Sequence, residues 1–333
     1  MKKYNVAVIG VGAVGKEMLR VLKQSHFPVG TLKVFGRSAR NIEVDGAKYS
    51  VETLGSDSFK GIDIALFAGT EGEKGAAVTY AKDAIKAGAV VIDNGADFRM
   101  QKDVPLVVPE VNASDVKKHK GIIANPNCSI IQMVVALAPI HKKAGLKRVI
   151  VSTYQAVSGS GQSAVVQAEG EFRAWANNSS EAVAMAMDQK ILFNLFPHIG
   201  SFSDDDYTTE EWKIVKETHK ILHDPKIKVS ATTVRVPVKT GHSEAVYIET
   251  KKPMTADGIR KLLSKAPGVV LMDDPKNKIY PMPRDCEGKD EVFVGRVRRD
   301  PFVKNGFWLW IVSDNLRKGA ATNAVQIAEE LIK

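Results

Sequence analysis

The chain has 333 residues, enough for about two domains, and its 44% hydrophobic and 26% charged content is that of a globular protein rather than a disordered one. Lys+Arg number 47 against 38 Asp+Glu, a formal +9 spread without long basic runs, which suits anionic small molecules or plain solubility and gives no footprint for nucleic acid. No apolar run approaches the ~20 residues of a membrane helix, the start lacks a leader pattern, and Cys128 and Cys286 supply neither a disulfide framework nor a cysteine-only zinc site; the expectation is a reduced, cytoplasmic protein without membrane or metal.

In chain order, residues 4–9 form a short apolar run ending at Gly10, after which Val14, Met18, Val21 and Leu22 recur at helical spacing. The pattern predicts strand, glycine turn and helix. Further buried strands are expected at 32–35, 62–67, 89–92 and 122–124, with a helix over 75–87 between two of them. Strands alternating with helices predict an α/β fold with a doubly wound parallel sheet. After about residue 128 the texture changes. β-rich runs at 148–154, 229–238, 244–250, 291–297 and 307–312 predict an antiparallel or mixed sheet. Helices are expected near 163–176 and 209–222, the second opened by a Thr208/Glu211 capping box. A last helix, within 320–333, carries Ala324, Ile327, Ala328 and Leu331 as its apolar stripe.

The first turn reads Gly10-Val11-Gly12-Ala13-Val14-Gly15, a G-x-G-x-x-G in its required place between strand and helix. Glycines there let the backbone approach a pyrophosphate, and the helix N-terminus offers unpaired N–H groups. The competing reading is a tight turn needing small residues. The second strand ends Phe35-Gly36-Arg37-Ser38. A carboxylate near this point would bind a ribose 2′-hydroxyl, whereas Arg37 and Ser38 suit a 2′-phosphate. The expected cofactor is therefore NADP, against a solvated basic turn as the bland alternative.

Asn125-Pro126-Asn127-Cys128-Ser129 precedes the apolar run 130–135, which places Cys128 near a helix N-terminus, where the dipole favours thiolate. Beside a nicotinamide, a thiolate points to attack on an acyl carbon followed by hydride transfer; the alternative is a small buried hydrophobe. Cys286 has no such context. A partner base is sought among seven histidines. His242, in Gly241-His242-Ser243-Glu244 between two predicted strands, is the candidate, while His119, His219 and His223 read as solvated in lysine-rich surroundings.

Together these segments resemble the aspartate-β-semialdehyde dehydrogenase family across nearly the whole chain. The resemblance is carried by Asn125-Pro126-Asn127-Cys128-Ser129, by 153–161, by Val234-Arg235-Val236-Pro237-Val238 and by Gly241-His242-Ser243-Glu244. Asp93-Asn94 with Phe98-Arg99-Met100, 107–112 and Ser313-Asp314-Asn315-Leu316 add to it. It implies reductive dephosphorylation of L-aspartyl 4-phosphate to L-aspartate 4-semialdehyde and phosphate, through a thioester on Cys128 reduced by NADPH. His242 matches the acid/base residue and Gln155 a residue positioning the substrate or acyl intermediate. Asn127 would hold the phosphate and carbonyl region, Arg235 the α-carboxylate, Glu210 the α-amino group, and Lys213 with Arg99 the phosphate. Glu210 and Lys213, three apart on one predicted helix, would otherwise read as a surface ion pair. Ser158, Gly159 and Asn315 match cofactor contacts beside those of the glycine loop.

The resemblance further implies a Rossmann-type NADP-binding domain of residues 1–127 plus 313–333. Residues 128–312 would form an α+β catalytic and dimerisation domain with a large mixed sheet, in a homodimer or homotetramer. Aspartate semialdehyde would feed lysine (through diaminopimelate), methionine, threonine and isoleucine synthesis. Two departures stand out. The loop is one residue shorter than the family's Gly-x-x-Gly-x-x-Gly, and Gly95-Ala96-Asp97 replaces the usual Ser-Ser-Ala, which sets a negative charge near Arg99. N-acetyl-glutamyl-phosphate reductase is the nearest alternative enzyme. An acetylated amine carries no charge for Glu210 to face, which argues against it. A non-catalytic NADP-binding regulatory protein is the alternative outside enzymes.

Overall fold

The computed structural model describes residues 2–69, 75–179 and 182–333. The chain divides into two compact units, Met1–Asn127 with Ala320–Lys333, and Cys128–Gly319.

In the first unit seven strands form one sheet: β1 (Tyr4–Ile9), β2 (Val29–Gly36), β3 (Arg40–Val44), β4 (Ala47–Thr53), β5 (Ile64–Phe67), β6 (Val90–Asp93) and β7 (Ile122–Ala124). Their order is β3-β4-β2-β1-β5-β6-β7, parallel throughout except for the β3–β4 edge pair. The central strands β1 and β5 are buried on both sides, Val6 to Ile9 and Ile64 to Phe67 each being 4% exposed or less. That accounts for their continuous apolar runs. Helix α1 (Ala13–Gln24) buries Met18, Leu19, Val21 and Leu22. Helices α2 (Ala76–Lys86) and α3 (Pro109–Asn112) follow, and the C-terminal helix Thr322–Leu331 buries Ala324, Val325, Ile327 and Ala328 in the same core as α1. From β1 the chain runs outward through β2 and returns to β5 on β1's other side. The carboxyl end of β1 is thus the switch point at which such sheets bind ligands. The β3–β4 hairpin is absent from the periodicity reading. Its signal is Asp45-Gly46, both at positive φ, the turn pair that favours tight hairpins.

In the second unit β8 (Leu146–Gln155), β9 (Lys228–Arg235), β10 (His242–Thr250), β11 (Val269–Leu271), β12 (Val292–Arg299) and β13 (Gly306–Ser313) form a mixed sheet of order β11-β12-β13-β10-β8-β9. β8–β9 and β11–β12 are parallel, and the other three pairs are antiparallel. Helices α4 (Cys128–Ala144), α5 (Gln162–Ala176), α6 (Thr209–Leu222), α7 (Ala256–Leu263) and α8 (Pro283–Cys286) accompany it. The expected strand 229–238 ends at Arg235 because Pro237 has no N–H for a ladder. Arg235 instead exchanges backbone hydrogen bonds with Phe196. Ser313–Gly319, expected with the first unit, packs in the second. Ser313 pairs with His242 in the sheet, and the Asp314 carboxylate accepts from the Gly288 N–H.

Candidate active site

Cys128 is the first residue of α4, so the positive end of the helix dipole favours its thiolate. Gly319 lies against it. A Cβ added there would stand 3.0 Å from the Cys128 Cβ, which leaves room for glycine alone.

The Cys128 Sγ is 3.2 Å from the His242 Nε2. His242 opens β10 and is fully buried. Gly241 before it sits at φ +94°, where a Cβ would come within 2.9 Å of the Cys286 Sγ, so the approach to His242 requires glycine. The other ring nitrogen, Nδ1, accepts the Ala156 backbone N–H at 3.1 Å. A backbone amide can only donate, so in the neutral ring the proton resides on Nε2 and faces the sulfur. Burial, and then the positive charge of Arg235, hold the imidazole well below its ordinary value, so the ring is neutral at working pH.

Ala156 also places Arg235. Its carbonyl accepts from the Arg235 guanidinium at 2.7 Å, and Arg235 stands opposite Gln155 in the β8–β9 register. Burial lowers the Arg235 pKa, while the charges of Cys128 and Glu210 act the other way; arginine stays cationic regardless. Gly159 sits where a Cβ would meet the His242 Cε1 at 3.0 Å and the Arg235 Nη1 at 3.1 Å, a steric reason for glycine there.

The capping box predicted for α6 is formed: Thr208 Oγ1 accepts the Glu211 N–H at 3.2 Å, and Glu211 accepts the Thr208 N–H at 2.8 Å. It orients the first turn, in which Glu210 is 6% exposed. The Gln155 side-chain amide donates to Glu210 at 3.3 Å, and Lys213 lies 3.5 Å from the same carboxylate. This is no solvated surface pair. Cys128, Gln155, Glu210, Lys213, Arg235 and His242 therefore cluster in the second unit, with two cations and one carboxylate able to grip a small zwitterion carrying a further anionic group. Ser158 and Asn315, both buried, are brought together there as well: Asn315 Nδ2 donates to Ser158 Oγ at 2.9 Å, and Asn315 Oδ1 accepts the Gly241 N–H at 2.9 Å.

In the first unit Gly10, at φ +96°, ends β1, and Gly15 abuts it so closely that an added Cβ would lie 1.8 Å from the Gly10 carbonyl oxygen. Gly12 is the N-cap of α1, with no side-chain cap and no acidic residue in the first turn. This open helix N-terminus suits a phosphate, with Ala13 and Val14 offering backbone N–H groups while the Val14 side chain packs on the core. Arg37 and Ser38 are exposed just past β2. Arg99 is 4% exposed, and its guanidinium donates to the Asn125 and Asn94 carbonyls at 2.9 Å each. Asn127 is buried, at 7%.

Cys286 is buried, and its thiol is pushed up to about 12 chiefly by burial, which disfavours the nucleophilic thiolate. Two of the histidines expected in solvent are not there. His119 is half-buried and accepts the Gly121 N–H at Nδ1, with burial lowering its pKa, and His219 is bonded to the Ile227 carbonyl at 2.7 Å. Neighbouring lysines on exposed faces concealed the opposite, packed side of each. His223 is exposed. Among the described residues no group of three or more His, Cys, Asp or Glu could hold a metal, and no helix is long and apolar enough to cross a membrane. Ala156, Gln132, Glu244 and Gly319 also belong to this region, and the motifs of the sequence do not point to them. Only Glu244 had a signal, two residues from His242 on one strand face.

Residues 5–119 match the family model described as "Semialdehyde dehydrogenase, NAD binding domain", and residues 137–318 the one described as "Semialdehyde dehydrogenase, dimerisation domain". The aspartate-semialdehyde dehydrogenase of Aquifex aeolicus is 52% identical over 338 residues, covering 99% of this chain and 98% of that protein. That of Bacillus subtilis is 50% identical, covering 99% and 97%. Among solved structures, aspartate semialdehyde dehydrogenase II from Vibrio cholerae complexed with ASA is similar at a TM-score of 0.95 and 43% identity, covering 100% of this chain and 99% of that one.

Proposed function

The chain belongs to the aspartate-semialdehyde dehydrogenase family, and we propose that it reduces L-aspartyl 4-phosphate to L-aspartate 4-semialdehyde, with NADPH as reductant. The observation that carries this reading is the 3.2 Å Cys128–His242 pair at a helix N-terminus, in one cluster with the buried Arg235 and Glu210 and the half-buried Lys213. The Cys128 thiolate adds to the acyl carbon, the carbon–oxygen bond to phosphate breaks, and a thioester forms. When bound, the nicotinamide supplies the hydride that reduces the thioester carbon. The carbon–sulfur bond then breaks, releasing the aldehyde and restoring the thiolate. Starting from thiolate, neither half needs a proton removed. Both need an N–H aimed at a developing anion, and the Nε2–H of His242 offers one.

Arg235 would bind the α-carboxylate in a bidentate fork, Glu210 the ammonium, Gln155 the acyl group, and Lys213, Arg99 and Asn127 the phosphate. The glycine loop fits a pyrophosphate because Gly10 and Gly15 leave no room for a side chain between them. Gly10, Gly12, Ala13, Val14 and Gly15 would hold it, with Ser158, Gly159 and Asn315 toward the nicotinamide. Arg37 and Ser38 would hold the 2′-phosphate.

The sheet face turned away from α4 carries Tyr154 against Trp310, ring centroids 5.5 Å apart, and Tyr247 against Trp308 at 5.1 Å. It supports assembly as a homodimer or homotetramer. The enzyme would be cytoplasmic and supply lysine, diaminopimelate, methionine, threonine and isoleucine synthesis.

The test is NADP reduction by purified protein with L-aspartate 4-semialdehyde. Turnover is expected only when phosphate is present. Phosphate-independent oxidation, or a preference for N-acetyl-glutamate semialdehyde, would overturn the assignment. For Arg37→Ala the KM for NADP is expected to rise about tenfold, the worth of one charge-assisted hydrogen bond, with NAD turnover unchanged. An unaltered NADP/NAD ratio would remove the 2′-phosphate role.

A further inference from the structure

Below the Cys128–His242 pair lies a polar layer that no step above uses. Side chains alternate along a strand, so Glu244 projects from the same face of β10 as His242. Gln132 is one turn beyond Cys128 on α4, and Ser313 is paired directly with His242 across β10 and β13. The Ser313 hydroxyl donates to the Gln132 side-chain carbonyl at 2.7 Å. Gln132, Glu244 and Ser313 are each 1% exposed or less. Two links therefore tie α4 to the sheet, Cys128–His242 above and Gln132–Ser313 one turn below.

Building on the reading of Cys128 and His242 as the reacting pair, we propose that Glu244 is a positioning residue: with Gln132 and Ser313 it fixes the rotation and height of α4 against β10, and so the sulfur-to-imidazole distance. The Gln132 amide is the polar group that acts on the carboxyl, and burial holds that carboxyl far above its usual range, so it is present as the neutral acid. A neutral acid can both donate and accept, whereas an ionised one buried here would be costly. Glu244 Oε2 and Gln132 Nε2 are both buried without a hydrogen-bond partner among the described residues, so each must find its complement within this layer. Loss of one corner would let the first turn of α4 shift, and displacement of a reacting group by about 1 Å can cost ~100-fold in rate.

The experiment compares Glu244→Gln, Glu244→Ala and Ser313→Ala in the full-length protein, measuring kcat, both KM values, melting temperature and the rate of Cys128 alkylation by iodoacetamide. Glutamine reproduces the shape and neutrality of the acid, and its kcat is expected within about threefold of wild type. Glu244→Ala and Ser313→Ala are expected to lose about 10- to 100-fold in kcat, with KM values nearly constant and alkylation slowed in parallel. If Glu244→Gln falls as far as Glu244→Ala, or if both alanine variants keep wild-type kcat and alkylation, the proposal is overturned. Should Glu244→Ala fail to fold, Ser313→Ala, which removes one hydroxyl, decides alone. Retained turnover in Cys128→Ala would instead sink the underlying assignment of the nucleophile.

Discussion

Cys128→Ala is expected to lose phosphate-dependent turnover by at least about 10⁴-fold, since removing a covalent nucleophile abolishes the route rather than slowing it. Cys128→Ser is expected to be nearly as inactive, and this is the more informative variant. A serine hydroxyl must be deprotonated as it attacks, and that requires a base at the position of the His242 Nε2. With Nδ1 engaged by the Ala156 N–H at 3.1 Å, Nε2 carries the proton and cannot take another. Substantial activity in Cys128→Ser would show that the ring inverts its tautomer and acts as a base. Cys128 is not among the residues proposed to hold the cofactor, so NADP binding, followed by quenching of protein fluorescence, is expected to be unchanged in both variants. Lost binding would mean the substitution acts on the fold and not on the chemistry.

The second large effect is at His242. Truncation to alanine removes the imidazole donor aimed at Sγ, and kcat is expected to fall by about 10²- to 10³-fold, the usual cost of deleting a donor to a developing anion. His242→Gln places an amide N–H near the same position and is expected to recover about tenfold of that loss. Equal inactivity of the two variants would favour proton abstraction over donation. The pH dependence follows from the same geometry. The folded imidazole is held well below the ordinary 6.5, so on acidification the unfolded chain binds a proton that the folded chain does not. The stability this represents is present above about pH 6.5 and lost as the pH falls below it. Melting temperatures of His242→Gln should therefore decline less steeply on acidification than those of wild type. Parallel curves would mean that the ring titrates normally in the native protein.

Much of this was legible in the residues. The strand–glycine–helix opening and the alternation of short apolar runs predicted the parallel sheet, because strands buried on both faces must be continuously apolar. The capping box at Thr208 and Glu211 located the start of α6, since its signal is local. A reading that seeks continuous apolar runs misses the β3–β4 hairpin because its half-exposed strands alternate instead, as in Lys48-Tyr49-Ser50-Val51, although Asp45-Gly46 marks its turn. For His119 and His219 the charge of chain neighbours predicts solvent, and it says nothing about the residues packed on the opposite face.

Within the amino-acid order, then, lay every local matter: a thiol opening a helix, glycines where backbone must pass backbone, a guanidinium in place of a carboxylate past the second strand. Packing alone could settle what chain-distant groups do to one another. The residues at 128 and 242 are 114 positions apart, and the group that sets the imidazole's tautomer is the peptide N–H of Ala156, a donor that all residues but proline possess and that therefore leaves no trace in composition or spacing. Only folding in three dimensions assigns such a group a partner, and with it the direction in which the proton points.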